Sequence, residues 1–358
     1  MSMEETEEGQ PAPHRRKRYS GTHPKKYTEK YKEHDIAAHP DLETHLHAKG
    51  QTPASTHIPI LVEEVMQALS PCRGEVVADC TLGYGGHARE FMQRIGPSGR
   101  LVGFDVDENE LERTRARLSQ EGAPISIHRS NFAGISKALG VEQLDGYDII
   151  FADIGVSSMQ IDNPARGMSY RREGPLDMRM DDRLQQTAAD LLATLSAEDL
   201  ASVLRDLADE PDAEEVAARI VERRAGAALV QTSELVELVM EVKGTTPKQW
   251  RQEQRRQPAN GLHPAARTFQ ALRILVNDEL GALRELLRLA PYCLRPGGRV
   301  GIISFHSGED RLVKHAFRDG VRAGTYARAA EDVIVPQTKE RAYNSRSTAA
   351  RFRWAAKA

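Results

Sequence analysis

One short stretch, residues 79–87, limits the fold of this chain more than any other. It reads Asp-Cys-Thr-Leu-Gly-Tyr-Gly-Gly-His, between an apolar run at 76–78 and a helical pattern at 88–95. Glycines let the backbone turn tightly and approach a ligand, and the following helix presents free N–H groups to an anion at its N-terminus. The stretch therefore predicts either a nucleotide cradle or only a tight turn between a strand and a helix.

Each of four predicted strands is followed closely by a candidate ligand residue. The strands are 76–78, 101–105, 125–128 and 147–153, and the residues are Asp79, Asp105, Phe132 and Asp153. Strands that alternate with helices form a doubly wound parallel sheet, whose ligand lies at the carboxyl ends of the strands. We therefore expect these residues to line one site. The spacing of Asp105 from the glycines suits an acid for ribose hydroxyls, although an acid there can also cap the next helix.

The strand pattern stops after residue 160, and we interpret residues 161–262 as an inserted, all-helical domain. It holds a charged loop and helices at 188–195, 197–207, 213–228 and 232–242, with Ser196 and Thr232 as N-caps. A polar linker, 245–261, follows, in which Trp250 either stacks on a base or covers a helix end. The sheet domain occupies 56–160 and resumes over 263–358, with one long helix at 267–289, a buried strand at 300–306 and a closing strand.

Residues 1–55 have the composition of a disordered or loosely ordered charged tail. Acidic residues give way to basic ones, and apolar periodicity is missing. The basic run is either solvated or a secondary arm that contacts RNA. Because the net charge of the 358 residues is only −3, an RNA partner must be argued from local basic clusters.

The rest of the composition indicates a cytoplasmic protein without a membrane span. No apolar run approaches the ~20 residues that cross a bilayer, and the N-terminus lacks a secretory apolar region. The three cysteines, Cys72, Cys80 and Cys293, have no zinc spacing and suit a reducing compartment. We expect all three to be buried as small apolar residues, and no metal site.

Two chemistries compete for this site. A nicotinamide-dependent oxidoreductase is disfavoured, since the glycine spacing lacks the last glycine of the dinucleotide fingerprint and only one nucleotide-binding half is visible. Methyl transfer from S-adenosylmethionine fits better. That cofactor needs a turn for its aminoacyl end, an acid for its ribose, an apolar wall for its adenine and a polar strand end beside the methyl acceptor. The chain supplies these as Gly85-Gly86-His87, Asp105, Phe132 and Asp153.

Several motifs resemble those of the bacterial 16S rRNA (cytosine-N4)-methyltransferases, the MraW or RsmH family. The resemblance covers roughly residues 57–354, and its segments are 57–61, 79–87, 153–158, 174–180 (Gly-Pro-Leu-Asp-Met-Arg-Met), 264–274 and 304–307 (Ser-Phe-His-Ser). It implies a Rossmann-like methyltransferase dependent on S-adenosylmethionine, with a helical insert that recognises substrate. The implied reaction methylates the exocyclic amine of a cytosine in small-subunit rRNA, at the decoding centre.

The resemblance also implies roles for individual residues. The cofactor contacts are Gly85, Gly86, His87, Asp105, Phe132, Asp153 and Gln160. From the chemistry of the amine, we expect Asp153 or the backbone around Ile154 and Gly155 to accept its N–H groups, with Ser304 and His306 lining the pocket. His306 is either a catalytic or a structural group. Apart from the resemblance, we expect Arg166, Arg171, Arg172 and Arg179 to contact phosphates of the RNA. A member that methylates another RNA cytosine, and a binding module without catalysis, remain alternatives, and the protein is either a monomer or a homodimer.

Overall fold

Seven strands form one sheet in the order β3-β2-β1-β4-β5-β7-β6. The structure is a computed structural model that describes residues 59–256 and 261–358, so the predicted tail lies outside the described residues. The strands are β1 Val76–Asp79, β2 Arg100–Asp105, β3 Ile125–Arg129, β4 Tyr147–Asp153, β5 Leu294–Ser304, β6 Tyr326–Ala329 and β7 Arg351–Lys357. β1 to β5 pair in parallel, whereas β7 is antiparallel to both β5 and β6. The predicted doubly wound α/β sheet is confirmed.

Helices cover both faces of this sheet. In chain order they are α1 Val62–Leu69, α2 Gly86–Ile95, α3 Glu108–Leu118, α4 Ile135–Glu142, α5 Ser158–Asp162, α6 Ala188–Thr194, α7 Ala197–Ala208, α8 Ala213–Gly226, α9 Thr232–Val242, α10 Pro247–Arg256, α11 Ala266–Asn277, α12 Glu279–Cys293, α13 Ser307–Arg322 and α14 Thr338–Tyr343. Along β4, Ile149 and Phe151 pack with α1, α2 and α3, while Ile150 and Ala152 pack with α4, α12 and α13. This alternation explains why the strand sequences are almost continuously apolar.

The chain between β4 and β5 contains helices α5 to α12, and its interpretation as an inserted helical domain stays a prediction. Helices α6 to α9 bury their apolar stripes against one another and form a hydrophobic cluster separate from the two clusters of the sheet. Ser196 caps α7 as predicted, since its hydroxyl accepts the Asp199 N–H at 3.0 Å. The N-cap of α9 is Gln231, and Thr232 is the first helical residue, so that predicted cap is wrong by one position.

Three other local predictions are wrong. The helix predicted over 267–289 is two helices, because Asp278 has a φ of 47° and breaks the helix between α11 and α12. The predicted linker 245–261 contains α10, and Cys72 is exposed. The apolar side chains of α11, which lies beyond residue 262, pack in the helical cluster and not in the clusters of the sheet. The domain boundaries at 161 and 262 stay predictions. Among the described helices, none combines the length and the apolar character needed to cross a bilayer.

Candidate active site

The glycine turn between β1 and α2 is held by side chains of two neighbouring elements. The Gly83 N–H donates to Asp105 Oδ2 at 2.7 Å, and Thr114 Oγ1 donates to the Gly83 carbonyl at 2.5 Å. Gly85 has a φ of 84°, and a Cβ added there would lie 3.0 Å from Thr114 Cγ2. Left-handed backbone and close packing against α3 together require glycine at position 85.

The first turn of α2 is open to an anion. Its N-cap, Gly85, has no side chain, and the described residues provide no side-chain cap bond there. These N–H groups lack partners within the helix and carry the positive end of its dipole. Gly86 and His87, the first two helical residues, therefore suit a carboxylate or a phosphate.

His87 is a buried, neutral imidazole between α2 and β4. Its Nε2 lies 2.9 Å from the Ile60 carbonyl oxygen, which accepts but cannot donate, so we assign the proton to Nε2. Burial lowers the pKa of His87 to about 4. The unprotonated Nδ1 faces Asp153 Oδ2 at 3.8 Å. His87 thus fixes the segment before α1 and adds no positive charge to the site.

Burial, with smaller contributions from neighbouring charges, raises the pKa values of the carboxyl groups at three strand ends. Burial raises the pKa of Asp79 to about 7, and the charge of Asp105 contributes. Burial also raises the pKa of Asp153 to about 8, with smaller contributions from the charges of Asp79 and Glu309. The pKa of Asp105 is raised as well, by burial first. A cation bound at this edge would favour the ionised forms, so the site is matched to positive charge.

Asp153 has one side-chain oxygen that nothing in the described chain satisfies. Its backbone N–H donates to Thr81 Oγ1 at 2.6 Å, which ties the end of β4 to the glycine turn. Its Oδ1 is buried without a hydrogen-bond partner among the described residues, although the side chain as a whole is 25% exposed. A buried acceptor without a donor costs ~1–3 kcal/mol. Asp153 therefore stays the candidate acceptor for an N–H group of a ligand, with Oδ1 as the oxygen that has no partner among the described residues.

Phe132 and Gln160 follow β3 and β4. Phe132 begins a short 3₁₀ turn and is half-buried. Gln160 forms a capping box with Ser157 at the start of α5, and its Nε2 donates to Asp107 Oδ2 at 3.3 Å. All the predicted cofactor residues thus follow the carboxyl ends of four adjacent parallel strands, and their cofactor roles stay predictions.

Ser304 and His306 have structural partners at the end of β5. The Ser304 hydroxyl is buried and donates to the Arg351 carbonyl at 3.4 Å. His306 is the N-cap of α13, where its Nδ1 accepts the Glu309 N–H at 3.4 Å. The Glu309 carboxylate also accepts the Phe305 N–H at 2.8 Å. This geometry supports the structural interpretation of His306, and a catalytic role for either residue stays a prediction.

A cavity of about 320 Å³ opens beside the end of β2. Asp107, in its wall, is buried, and its Oδ2 accepts a hydrogen bond of 2.5 Å from Arg166 Nη2. Arg166 Nη1 donates to the carbonyls of Arg179 and Met180 at 3.2 and 3.0 Å. Arg166 therefore joins the end of β2 to the loop at 177–182.

Asn277, the last residue of α11, holds the same loop from the other side. Its Nδ2 donates to the Met178 carbonyl at 2.8 Å, and its Oδ1 accepts the Met180 N–H at 2.7 Å. Met178 has a φ of 63°, a strained conformation for a side chain of this kind. The two bonds from Asn277 fix the backbone where that strain occurs.

Two of the four arginines predicted to contact phosphate are bonded inside the protein. Arg166 spans the cavity wall, and Arg179 pairs with Asp177 through two N–H groups, each at 2.8 Å. Both side chains therefore stabilise the conformation of the loop at 177–182 in this structure. Phosphate contact stays a prediction for all four arginines, and it is sterically simplest for the exposed Arg171.

Sequence reasoning missed Asp107, Asn277 and Glu309. No sequence pattern near Asp107 or Asn277 indicates their contacts, because the residues they bond to are distant in the sequence. Glu309 follows His306 by three residues at the start of a helix, which is the spacing of a capping box. That spacing was sufficient to predict a structural role for His306.

We expect Arg166→Lys to lower the free energy of unfolding by about 2 kcal/mol, because an ammonium cannot reach Asp107 and two carbonyls together. Urea unfolding measures this loss, and hydrogen exchange over 177–182 should accelerate. Arg171→Lys, in the same stretch between α5 and α6 but exposed, is the control and should stay within about 0.5 kcal/mol of wild type. Equal stabilities of the two variants would contradict the bridging role of Arg166.

One protein family accounts for nearly all of the described chain. The model of the MraW methylase family matches residues 54–358. The chain belongs to this family. Membership confirms the resemblance predicted from the motifs, and with it a methyltransferase built on a Rossmann-like sheet.

Relatives in the MraW methylase family are similar over most of their length. Ribosomal RNA small subunit methyltransferase H 1 of Lachnoclostridium phytofermentans is 41% identical over 362 aligned positions, which cover 100% of this chain and 97% of that protein. The protein of the same name from Agathobacter rectalis is 40% identical and covers 96% of this chain and 97% of its own. Ribosomal RNA small subunit methyltransferase H of Geobacter sp. strain M21 is 46% identical over 73% of this chain and 81% of its own. The first alignment includes residues 1–55.

Proposed function

We propose that this protein transfers a methyl group from S-adenosylmethionine to the exocyclic N4 amine of a cytosine in 16S rRNA of the small ribosomal subunit. The observation that carries the proposal is the unsatisfied Oδ1 of Asp153, at a sheet edge that also presents a glycine turn and the Asp105 carboxylate. The names of relatives 41% and 40% identical, which describe rRNA small subunit methyltransferases, support the substrate class.

The residues of this edge fit S-adenosylmethionine. The N–H groups of Gly86 and His87 would bind its carboxylate. Each oxygen of Asp105 accepts one backbone N–H, from Gly83 or Asp107, and keeps a lone pair for a ribose hydroxyl. Phe132 would contact the adenine, and Gln160 would add a polar contact. When bound, the cofactor supplies an electrophilic methyl group on a positively charged sulfur.

Asp153 would prepare the cytosine amine for attack. The lone pair of that amine is delocalised into the ring, which makes it a poor nucleophile. A hydrogen bond from the amine to Asp153 Oδ1 localises the pair, and the same carboxylate takes the proton that the amine loses. The pKa of Asp153, raised to about 8 by burial and by the charges of Asp79 and Glu309, suits proton transfer near neutral pH.

The substrate base has to leave its stack to reach this edge. A single-stranded or partly assembled RNA makes that step cheapest. The helical insert, whose loop at 177–182 borders the cavity at β2, is the part of the chain we assign to RNA recognition. With an rRNA substrate, we also propose a cytoplasmic location.

Methyl transfer from labelled S-adenosylmethionine tests the proposal. The protein is incubated with small subunits or total RNA from cells that lack it, and the labelled nucleotide is mapped by mass spectrometry. We expect label on the N4 of one cytosine of the 16S rRNA. Label on another RNA would replace the substrate, and cofactor binding without transfer would identify a binding module.

A further inference from the structure

Helix α10 has a concentration of positive charge that the described residues do not neutralise. Its ten residues include one acidic side chain, Glu253, and four basic ones: Lys248, Arg251, Arg255 and Arg256. All four are exposed, and none forms an ion pair with an acidic side chain in the described ranges 59–256 and 261–358. In contrast, Arg219 on α8 pairs with both Glu222 and Glu241.

The charges of α10 lie on its outward side. Lys248, Arg251 and Arg255 follow one another by three and four residues, so they share one face and extend over ~10 Å of helix. Trp250 and Gln254 share another face and are half-buried. Trp250 packs against the hydrophobic cluster of the insert, so its side chain holds the helix to the domain.

Stacked rings connect α10 with Arg171. The Trp250 ring meets His263 edge-on at 5.7 Å, and His263 stacks on Tyr170 at 4.4 Å with an interplanar angle of 15°. The Arg171 guanidinium lies 5.6 Å from the centre of the Tyr170 ring. Arg171 and Pro247, the first residue of α10, also line one cavity of about 210 Å³. Arg171 therefore lies close to the start of α10, beside a cavity whose wall also includes Glu173 and Glu237.

We propose that the surface formed by Lys248, Arg251, Arg255, Arg256 and Arg171, named the α10 surface, binds the phosphate backbone of RNA. The inference rests on the proposed function and adds to it a second contact region. Arg171 belongs to the stretch between α5 and α6 that also supplies Arg166 and Met180 to the wall of the β2 cavity. RNA bound to the α10 surface would thus also contact the stretch of chain that borders the cavity beside β2.

The composition of α10 favours RNA over other partners. A helix that lies on a membrane needs an apolar face, and the only large apolar side chain of α10 is the half-buried Trp250. The centres of protein–protein interfaces combine arginine with aromatic and other apolar side chains, which the exposed face of α10 lacks, whereas arginine and lysine side chains are the usual contacts of a phosphate backbone. Exposed cations at helical spacing, with no acidic partner in the part of the chain that the structure describes, match that backbone.

A matched pair of triple variants tests the α10 surface. The first is Arg251→Gln, Arg255→Gln and Arg256→Gln. The control is Lys314→Gln, Arg318→Gln and Arg322→Gln, which removes the same charge from exposed positions of α13. Binding of a fluorescent single-stranded RNA of about 20 nucleotides is followed by anisotropy over a range of salt concentrations, with a polyglutamate peptide of equal charge as competitor.

We expect the α10 variant to bind RNA more than about tenfold more weakly and to reduce the slope of log K against log salt by about 2. The control variant should match wild type, and polyglutamate should compete poorly. Equal losses in both variants, an unchanged slope, or efficient competition by polyglutamate would overturn the inference.

Methylation of small subunits is measured separately. If wild type methylates RNA and the α10 variant binds RNA normally, only the α10 surface is refuted. If RNA binds through α10 but wild type does not methylate it, only the proposed function is refuted.

Discussion

Asp153→Asn is expected to slow methyl transfer by about 100- to 1000-fold and to stabilise the folded protein at pH 8. The rate falls because the neutral amide offers the amine a weaker acceptor and cannot take its proton. Stability rises because the variant no longer buries a carboxylate whose Oδ1 lacks a partner among the described residues. One substitution should therefore separate function from stability.

The stabilisation depends on pH in a direction fixed by the pKa. Burial, and then the charges of Asp79 and Glu309, raise the pKa of Asp153 from 3.8 to about 8. Between these values the folded state binds more protons than the unfolded state, so wild-type stability falls as pH rises through this window. The full shift corresponds to about 6 kcal/mol, but the side chain is 25% exposed and solvent screens it. We expect the variant to gain about 2 kcal/mol over wild type at pH 8 and almost nothing at pH 4.

Urea unfolding at the two pH values measures the difference, with Asp148→Asn as the control. Asp148 lies near the other end of β4, where its Oδ2 accepts from the Val76 N–H and from Arg295 Nη1, each at 2.8 Å. Its amide variant should lose stability and keep the rate of methyl transfer. If Asp153→Asn were as active as wild type, the acceptor role would be refuted, and if it lost stability at pH 8, the carboxylate would not be strained.

The sheet was predictable because its signals are local. β4 was predicted over 147–153, and the structure has Tyr147–Asp153, since a strand buried on both faces is apolar nearly throughout. β6 was missed because only Tyr326 of its four residues is buried, so its conformation depends on pairing with β7. The break at Asp278 was missed because apolar stripes continue on both sides of it, although they enter different clusters.

The positions of the candidate site residues were predictable, and their bonding was not. Parallel topology places the ends of adjacent strands at one edge, which is a property of the backbone. Whether Arg166 faces solvent or bridges Asp107 and two carbonyls depends on contacts between distant parts of the chain. The bond between Asn277 and Met180 joins residues 97 positions apart, and nothing near either residue indicates it.

Asp105→Ala is expected to weaken the binding of S-adenosylmethionine by at least about 100-fold, or about 2.7 kcal/mol. The carboxylate accepts the Gly83 N–H at 2.7 Å and the Asp107 N–H at 2.9 Å, and we propose that it also accepts a ribose hydroxyl. A hydrogen bond to a charged group contributes about 1.5–3 kcal/mol, and the loosened turn adds to the loss. Titration calorimetry measures the affinity directly.

Thr114→Val separates the two roles proposed for Asp105, which are to contact the ribose and to support the glycine turn. This variant removes the hydroxyl that donates to the Gly83 carbonyl at 2.5 Å and leaves the carboxylate in place. It should weaken binding by less than about tenfold, which is one hydrogen bond of ordinary strength. The ribose itself is probed with S-adenosylhomocysteine and its 2′-deoxy and 3′-deoxy analogues. Wild type and Thr114→Val should bind at least one analogue more weakly than the parent, whereas Asp105→Ala should bind all three alike. If Asp105→Ala still discriminated among them as wild type does, its carboxylate would act only on the glycine turn, and the acid that holds the ribose would have to be sought elsewhere along the edge.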